Sequence, residues 1–139
     1  MRRISFLPGL FLISFLLQNV DVSAKSITVS SLSEYNAGVR NLVAGDTILW
    51  AKGTYKNVSL NISRSGLIFL AEEPGMVVFT GNSSIVVSAS NTVVSGFQLR
   101  DGSASGHAFN VTGSNNKISH INIENYSTAN YFFNISAAG

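Results

Sequence analysis

Short apolar runs return at a fixed interval through the second half of the chain. Ile85-Val86-Val87-Ser88 is answered by Phe109-Asn110-Val111-Thr112 and by Phe133-Asn134-Ile135-Ser136, each 24 residues after the last, and Leu60-Asn61-Ile62-Ser63 stands 25 residues before the first. The segments between repeat as well: Ser90 to Leu99 lies over Ser114 to Ile123. Beta-branched runs at such a period, with no helical pattern inside them, predict an all-β fold, a parallel β-helix with rungs of about 24 residues.

Alternation places strands at Ile27–Val29, Thr47–Ala51, Ser59–Ile62, Leu67–Ala71, Val77–Thr80, Ile85–Ser88, Val93–Ser95, Phe97–Leu99, Phe109–Thr112, Ile118–Ser119, Ile121–Ile123 and Phe132–Ser136. Turns are expected at Lys52-Gly53-Thr54, Glu73-Pro74-Gly75, Gly81-Asn82, Asp101-Gly102 and Gly113 to Asn116. Inward parity slips by one between Val94 and Phe97 and between Ile118 and Ile121, which predicts bends at Ser95-Gly96 and Ser119-His120, one above the other. Asn91 and Asn115 should likewise stack at a corner, where amides can bond along the axis.

One stretch breaks the pattern. Leu32, Tyr35, Val39 and Leu42 recur at helical spacing, and Ser31 with Glu34 offers a capping box, so one amphipathic helix is expected over Leu32–Leu42 with Gly45 at its stop. A helix there can plug the first end of the coil, whose strand edges and apolar core would otherwise stand open. At the other end the chain stops in the middle of a rung, so the edge expects further rungs or a capping partner, and the chain is read as truncated at its C-terminal end. Stacking is obligatory in such a fold. Burying the five inward side chains of one rung gives on the order of 10 kcal/mol, and ordering its backbone costs more, at about 1 kcal/mol or more per residue.

The start of the chain has another character. A basic Met1-Arg2-Arg3, an apolar run from Ile4 to Leu17 and small residues up to Ala24 read as a secretory signal over 1–24, cut after Ala24, hence a secreted or periplasmic protein with no membrane attachment after cleavage. The apolar run is interrupted by Pro8-Gly9 and falls short of the roughly 20 residues a bilayer requires. Residues 25–58 then form the N-terminal cap and 59–139 the first rungs.

Among 139 residues only 12% are charged and the formal net charge is +2, which the loss of Arg2, Arg3 and Asp21 with the leader lowers by one. No polybasic face is left for nucleic acid. With no cysteine, the exported domain holds together by core and hydrogen bonds alone.

Candidate chemistry is sparse. Glu34, Asp46, Glu72, Glu73, Asp101 and Glu124 are scattered, whereas calcium takes six to eight oxygens, so no metal site is expected in this chain. Asp46 is assigned to the turn before its strand, and Glu72-Glu73 to solvent. His107 and His120 have no partner at a defined spacing and read as exposed turn residues. Lys117 and Arg100 read as solvated strand-edge cations with glycan contact open to them. Trp50, Tyr55, Tyr126 and Tyr131 could stack on sugars, though Trp50 and Tyr55 fall where a core is needed. Six Asn-x-Ser/Thr triplets begin at Asn57, Asn61, Asn82, Asn110, Asn125 and Asn134; in a eukaryotic secretory pathway they would be acceptors, and otherwise they reflect an Asn- and Ser-rich chain.

Ala44 to Tyr55, AGDTILWAKGTY, resembles the opening segment of exported right-handed parallel β-helix proteins, usually Pro-Gly-Asp-Thr-Ile followed shortly by Gly-x-Tyr or Gly-x-Trp. With Ala71 to Ser84, Val93 to Phe97 and Asn116 to Tyr126 in that order, the chain is similar to the N-terminal part of polysaccharide lyase family 6, the chondroitinase B and alginate lyase group, over about Ile27 to Tyr126. Ala44 replaces the usual Pro. The resemblance implies cleavage of uronate-containing, acidic polysaccharides (alginate or chondroitin and dermatan sulfate) by β-elimination, with calcium on the uronate carboxylate, a lysine base and an arginine, all on later rungs. It carries no catalytic, cofactor-binding or metal residue onto this chain, which is expected to be inactive alone. The alternatives are a non-catalytic β-helix surface or glycan-binding protein, and a β-helix enzyme of another lyase or hydrolase family.

Overall fold

The computed structural model describes residues 23–136. The leader expected over 1–24 lies outside the described residues, apart from Ser23 and Ala24.

The chain opens with strand β1 (Ser26–Val29), helix α1 (Leu32–Gly38) and a 3-10 turn at Val39–Asn41. Four turns of a parallel solenoid follow, three strands to a turn: β2 (Thr47–Trp50), β3 (Gly53–Lys56), β4 (Ser59–Ile62); β5 (Ile68–Ala71), β6 (Val77–Asn82), β7 (Ser84–Val87); β8 (Val93–Ser95), β9 (Phe97–Ala104), β10 (Phe109–Val111); β11 (Lys117–Ser119), β12 (Asn122–Thr128), β13 (Phe133–Ile135). Strands of like position stack into three sheets, β1-β2-β5-β8-β11, β3-β6-β9-β12 and β4-β7-β10-β13. Every pairing is parallel, as a coil returning on itself requires.

The register reproduces the repeat read from the chain. Leu60, Ile85, Phe109 and Phe133 stand in one inward column and Ile62, Val87, Val111 and Ile135 in the next. The first three members of each are buried, whereas Phe133 is 41% and Ile135 66% exposed. A covering neighbour is what buries a rung. Inside the coil the aromatic rings pack from turn to turn: Trp50 lies 5.3 Å from Phe79, Phe79 5.8 Å from Phe97, and Phe109 is stacked on Phe133 at 4.9 Å.

Corners are made by left-handed residues, and these stack too. Gly45, Gly66, Asn91 and Asn115 form one series with positive φ, Gly75, Gly96 and His120 a second, and Asn57, Gly81, Asp101 and Asn125 a third. Gly and Asn take this conformation at least cost, which is why they recur there. Asn91 and Asn115 therefore do lie at one corner. Amide contacts along the axis occur elsewhere, from Asn134 Nδ2 to Asn110 Oδ1 at 2.8 Å and from Asn125 Nδ2 to Asp101 Oδ1 at 2.6 Å.

The structure corrects the sequence in several places. α1 ends at Gly38, the 3-10 turn takes the chain to Asn41 and Leu42 is already extended. Gly45 is thus no helix stop: its N–H donates to Gly66 O at 2.8 Å, closing a corner of the coil. Gly53-Thr54, expected as a turn, begins β3, because that backbone pairs with Val77 to Thr80. Asp101-Gly102 bends within β9 without ending it, whereas β6 does end at Gly81-Asn82, and Gly81 faces Gly102 across a bulge. In the cap, Ser31 Oγ accepts from Glu34 N at 3.2 Å, while the Glu34 carboxylate reaches back one residue further, to Ser30 N at 2.7 Å. Tyr35 plugs the core, its ring 6.2 Å from Trp50 and its hydroxyl donating to Asn61 O at 2.8 Å.

Candidate functional site

Outward residues of β3, β6 and β9 line a groove of about 380 Å³. Two glycines shape it. Gly53 and Gly75 put bare backbone on its floor, and a β carbon at Gly75 would sit 3.3 Å from Gln98 Nε2. The β6-to-β9 step is short, Val77 pairing with Phe97, since Gly96 alone replaces the five-residue Glu72 to Met76 turn of the previous rung. That longer turn overhangs the groove with Met76, which is 54% exposed.

Alternation along β9 points Gln98 and Arg100 out of the coil together, beside Val78 and Thr54 on the neighbouring strands. Lys52 closes one end. Its Nζ is 2.7 Å from Glu73 Oε1, and its backbone N–H donates to Glu72 Oε2 at 3.0 Å, so Glu73 holds the Lys52 pKa above the ordinary lysine value. The acidic pair read as simply solvated is therefore exposed but engaged with Lys52. At the other end Arg100 Nε is 3.6 Å from Asp101 Oδ2, an ion pair beyond hydrogen-bond distance. Arg100, read from the sequence as an edge cation, lies in an inner strand of its sheet and on the groove wall. Gln98, Gly75 and Met76 carry no motif; the shared parity of positions 98 and 100 is the signal that points to them.

The other sequence candidates lie apart from this groove. His107 stacks on Tyr131 at 5.8 Å and 4°, on the rim of a second groove of about 290 Å³ that also takes in Ser59, Asn82 and Ser84. His120 is an exposed corner residue whose Nδ1 is 3.3 Å from Ser95 Oγ. Trp50 is core and Tyr55, partly buried, packs against it, with rings 5.8 Å apart. Tyr126 is buried against the turn at Ser83, and burial raises its pKa. Lys117 is exposed on β11.

The acids do not fit a calcium ion. Asp46 spends both carboxylate oxygens on backbone, accepting from Lys25 N at 2.7 Å and Val43 N at 2.8 Å, which lowers its pKa. Asp101 is tied to Asn125. Among the described residues no three metal-ligating side chains converge. The groove therefore offers cationic and amide contacts for a polar ligand.

Comparison with known proteins agrees with that architecture. No curated protein matches the chain. A PL6 family polysaccharide lyase from Pseudopedobacter saltans shares 30% identity over 70% of this chain, with a TM-score of 0.66, and the PL6 family alginate lyase AlyGC shares 21% over 64%, with a TM-score of 0.59. This chain spans 24% and 15% of those two proteins. The second likeness is one of fold. The chondroitinase B family model matches residues 29–136, from the cap through every turn and across the groove, so the chain belongs to the chondroitinase B family of polysaccharide lyases.

Proposed function

We propose that this chain forms the cap and opening turns of an exported lyase that cleaves uronate-containing polysaccharide by β-elimination. The observation that carries the reading is the family match over residues 29–136 of a parallel coil. In the reaction the C5–H and C4–O bonds break and a C4=C5 double bond forms, so a base and a cation near the uronate carboxylate are required. Neither converges among the described residues, and calcium, the base and the arginine belong on further turns. The segment's own part is to nucleate the stack and to present a polysaccharide-facing groove; its last turn, with Phe133 and Ile135 exposed, receives a further rung or a capping partner. Export fits a substrate found outside the cell.

A second reading, a glycan-binding β-helix without catalysis, is favoured by the groove standing in a segment that has no convergent base. The deciding experiment incubates the purified chain, and separately the protein with all the turns of its relatives, with alginate and with dermatan sulfate. Ultraviolet-absorbing unsaturated uronate from the longer protein alone supports the lyase reading. Binding without product from either supports the second.

A further inference from the structure

The groove on β3, β6 and β9 contains polar groups that the fold leaves without a hydrogen bond among the described residues. The Arg100 guanidinium has no hydrogen-bond partner among the described residues, and its nearest carboxylate, on Asp101, stands 3.6 Å away. The Gln98 side-chain amide makes no hydrogen bond either, and its Oε1 is buried without a protein donor. Lys52, in the same groove, is closed by Glu73. The contrast matters, because a buried amide oxygen left unpaired costs about 1–3 kcal/mol, and rotation about its last side-chain bond is soft enough to offer either end to a ligand. Gln98 and Arg100 are two residues apart on one strand face, about 7 Å at roughly 3.4 Å per residue, the reach of a single sugar unit. Met76 supplies an exposed apolar surface beside them.

Resting on the uronate reading above, we propose that this groove is a subsite for one uronate unit of the polysaccharide, Arg100 holding the carboxylate as a charge-assisted pair and Gln98 bonding a ring hydroxyl. A planar guanidinium suits a carboxylate, which it can meet with two parallel N–H donors. Glu124 lies beside Arg100 in register on β12, and with Asp101 it repels a loosely placed anion, so the subsite selects a ligand that also engages Gln98 and does not gather free anions.

The test is a titration of the purified chain, followed by amide and arginine side-chain nuclear magnetic resonance, with an alginate tetrasaccharide, a dermatan sulfate tetrasaccharide, a neutral glucan tetrasaccharide and inorganic sulfate. The alginate fragment is expected to shift the Gln98 side-chain amide, Arg100 Nε–H and the Gly53 and Gly75 amides. Arg100→Gln should weaken that binding about tenfold or more, as loss of one charge-assisted pair does. Arg100→Lys, which keeps the charge, should fall between, and Lys117→Gln, on another sheet, should bind as the unaltered chain does. Dermatan sulfate binding more tightly than alginate, with inorganic sulfate competing, would reassign the groove to sulfate and overturn the uronate assignment. Equal binding of the neutral glucan, shifts confined to other residues, or unchanged affinity in both Arg100 variants would also overturn it. Unsaturated product from the longer protein is a separate outcome: product without groove binding fails the subsite alone, and groove binding without product fails the lyase reading alone.

Discussion

The Tyr126 hydroxyl lies 3.0 Å from the backbone N of Ser83, 43 residues earlier in the chain, and 2.5 Å from the Ser83 carbonyl oxygen. It also lies 3.0 Å from Ser103 O and 3.2 Å from Gly81 O, so one phenol on the fourth turn pins corners of the second and third. Tyr126→Phe removes the hydroxyl bond to Ser83 O, while the Ser83 N–H keeps Gly81 O and Ser103 O as acceptors, and should destabilise the protein by about 0.5–1.5 kcal/mol in urea denaturation. A loss below about 0.5 kcal/mol, the ordinary level of a surface substitution, would show that the clamp carries no weight.

Close approach of turns is tested at glycine. A β carbon on Gly113 would run into the carbonyl of Ala89 on the previous turn, which is backbone and cannot swing aside, whereas one on Gly106 would meet only Asn130 Nδ2 at 4.0 Å. Gly113→Ala should lower stability by about 1–3 kcal/mol or more, as overpacking does. Gly106→Ala should be neutral. Equal thermal midpoints for the two variants would contradict the stacked corner.

The cap should be acid-sensitive. Asp46, held below its ordinary pKa by the Val43 and Lys25 N–H groups, contributes stability that is fully present above the unfolded carboxylate value and lost as pH falls through the folded one. The melting temperature should therefore fall below about pH 5, and Asp46→Asn should flatten that fall. A parallel pH profile in the variant would remove Asp46 as its cause.

At the opposite extreme, burial pushes Tyr35 up to about 12. The folded form favours the neutral phenol, so this stability is intact below pH 10 and is lost as pH rises from there toward 12, by on the order of 2 kcal/mol. Tyr35→Phe should remove that alkaline loss while giving up the bond to Asn61 O. An alkaline midpoint unchanged by the substitution would contradict it.

Most strands were legible because inward apolar residues alternate with Ser and Asn, as at Leu60-Asn61-Ile62 and Phe109-Asn110-Val111. β3 was not, since Gly53-Thr54-Tyr55-Lys56 carries a single apolar side chain and owes its extended form to β6 beside it. The bends at Gly96 and His120 followed from parity and that at Asp101 from its turn composition, whereas the left-handed Asn125 did not, because it lies inside β12 with no glycine beside it. The groove was hidden for a longer-range reason. Gln98 approaches Gly75 only because the β6-to-β9 step is shorter than the 24-residue repeat, and a step length belongs to the register of two turns.

The decisive measurement is the mass of the new chain ends released from alginate and dermatan sulfate by the protein comprising this segment and the further turns of its relatives. Dehydrated, unsaturated ends on at least one of the two, and none from the segment alone, are expected. Saturated ends carrying the elements of water, or no cleavage of either polymer, would contradict the assignment to β-elimination.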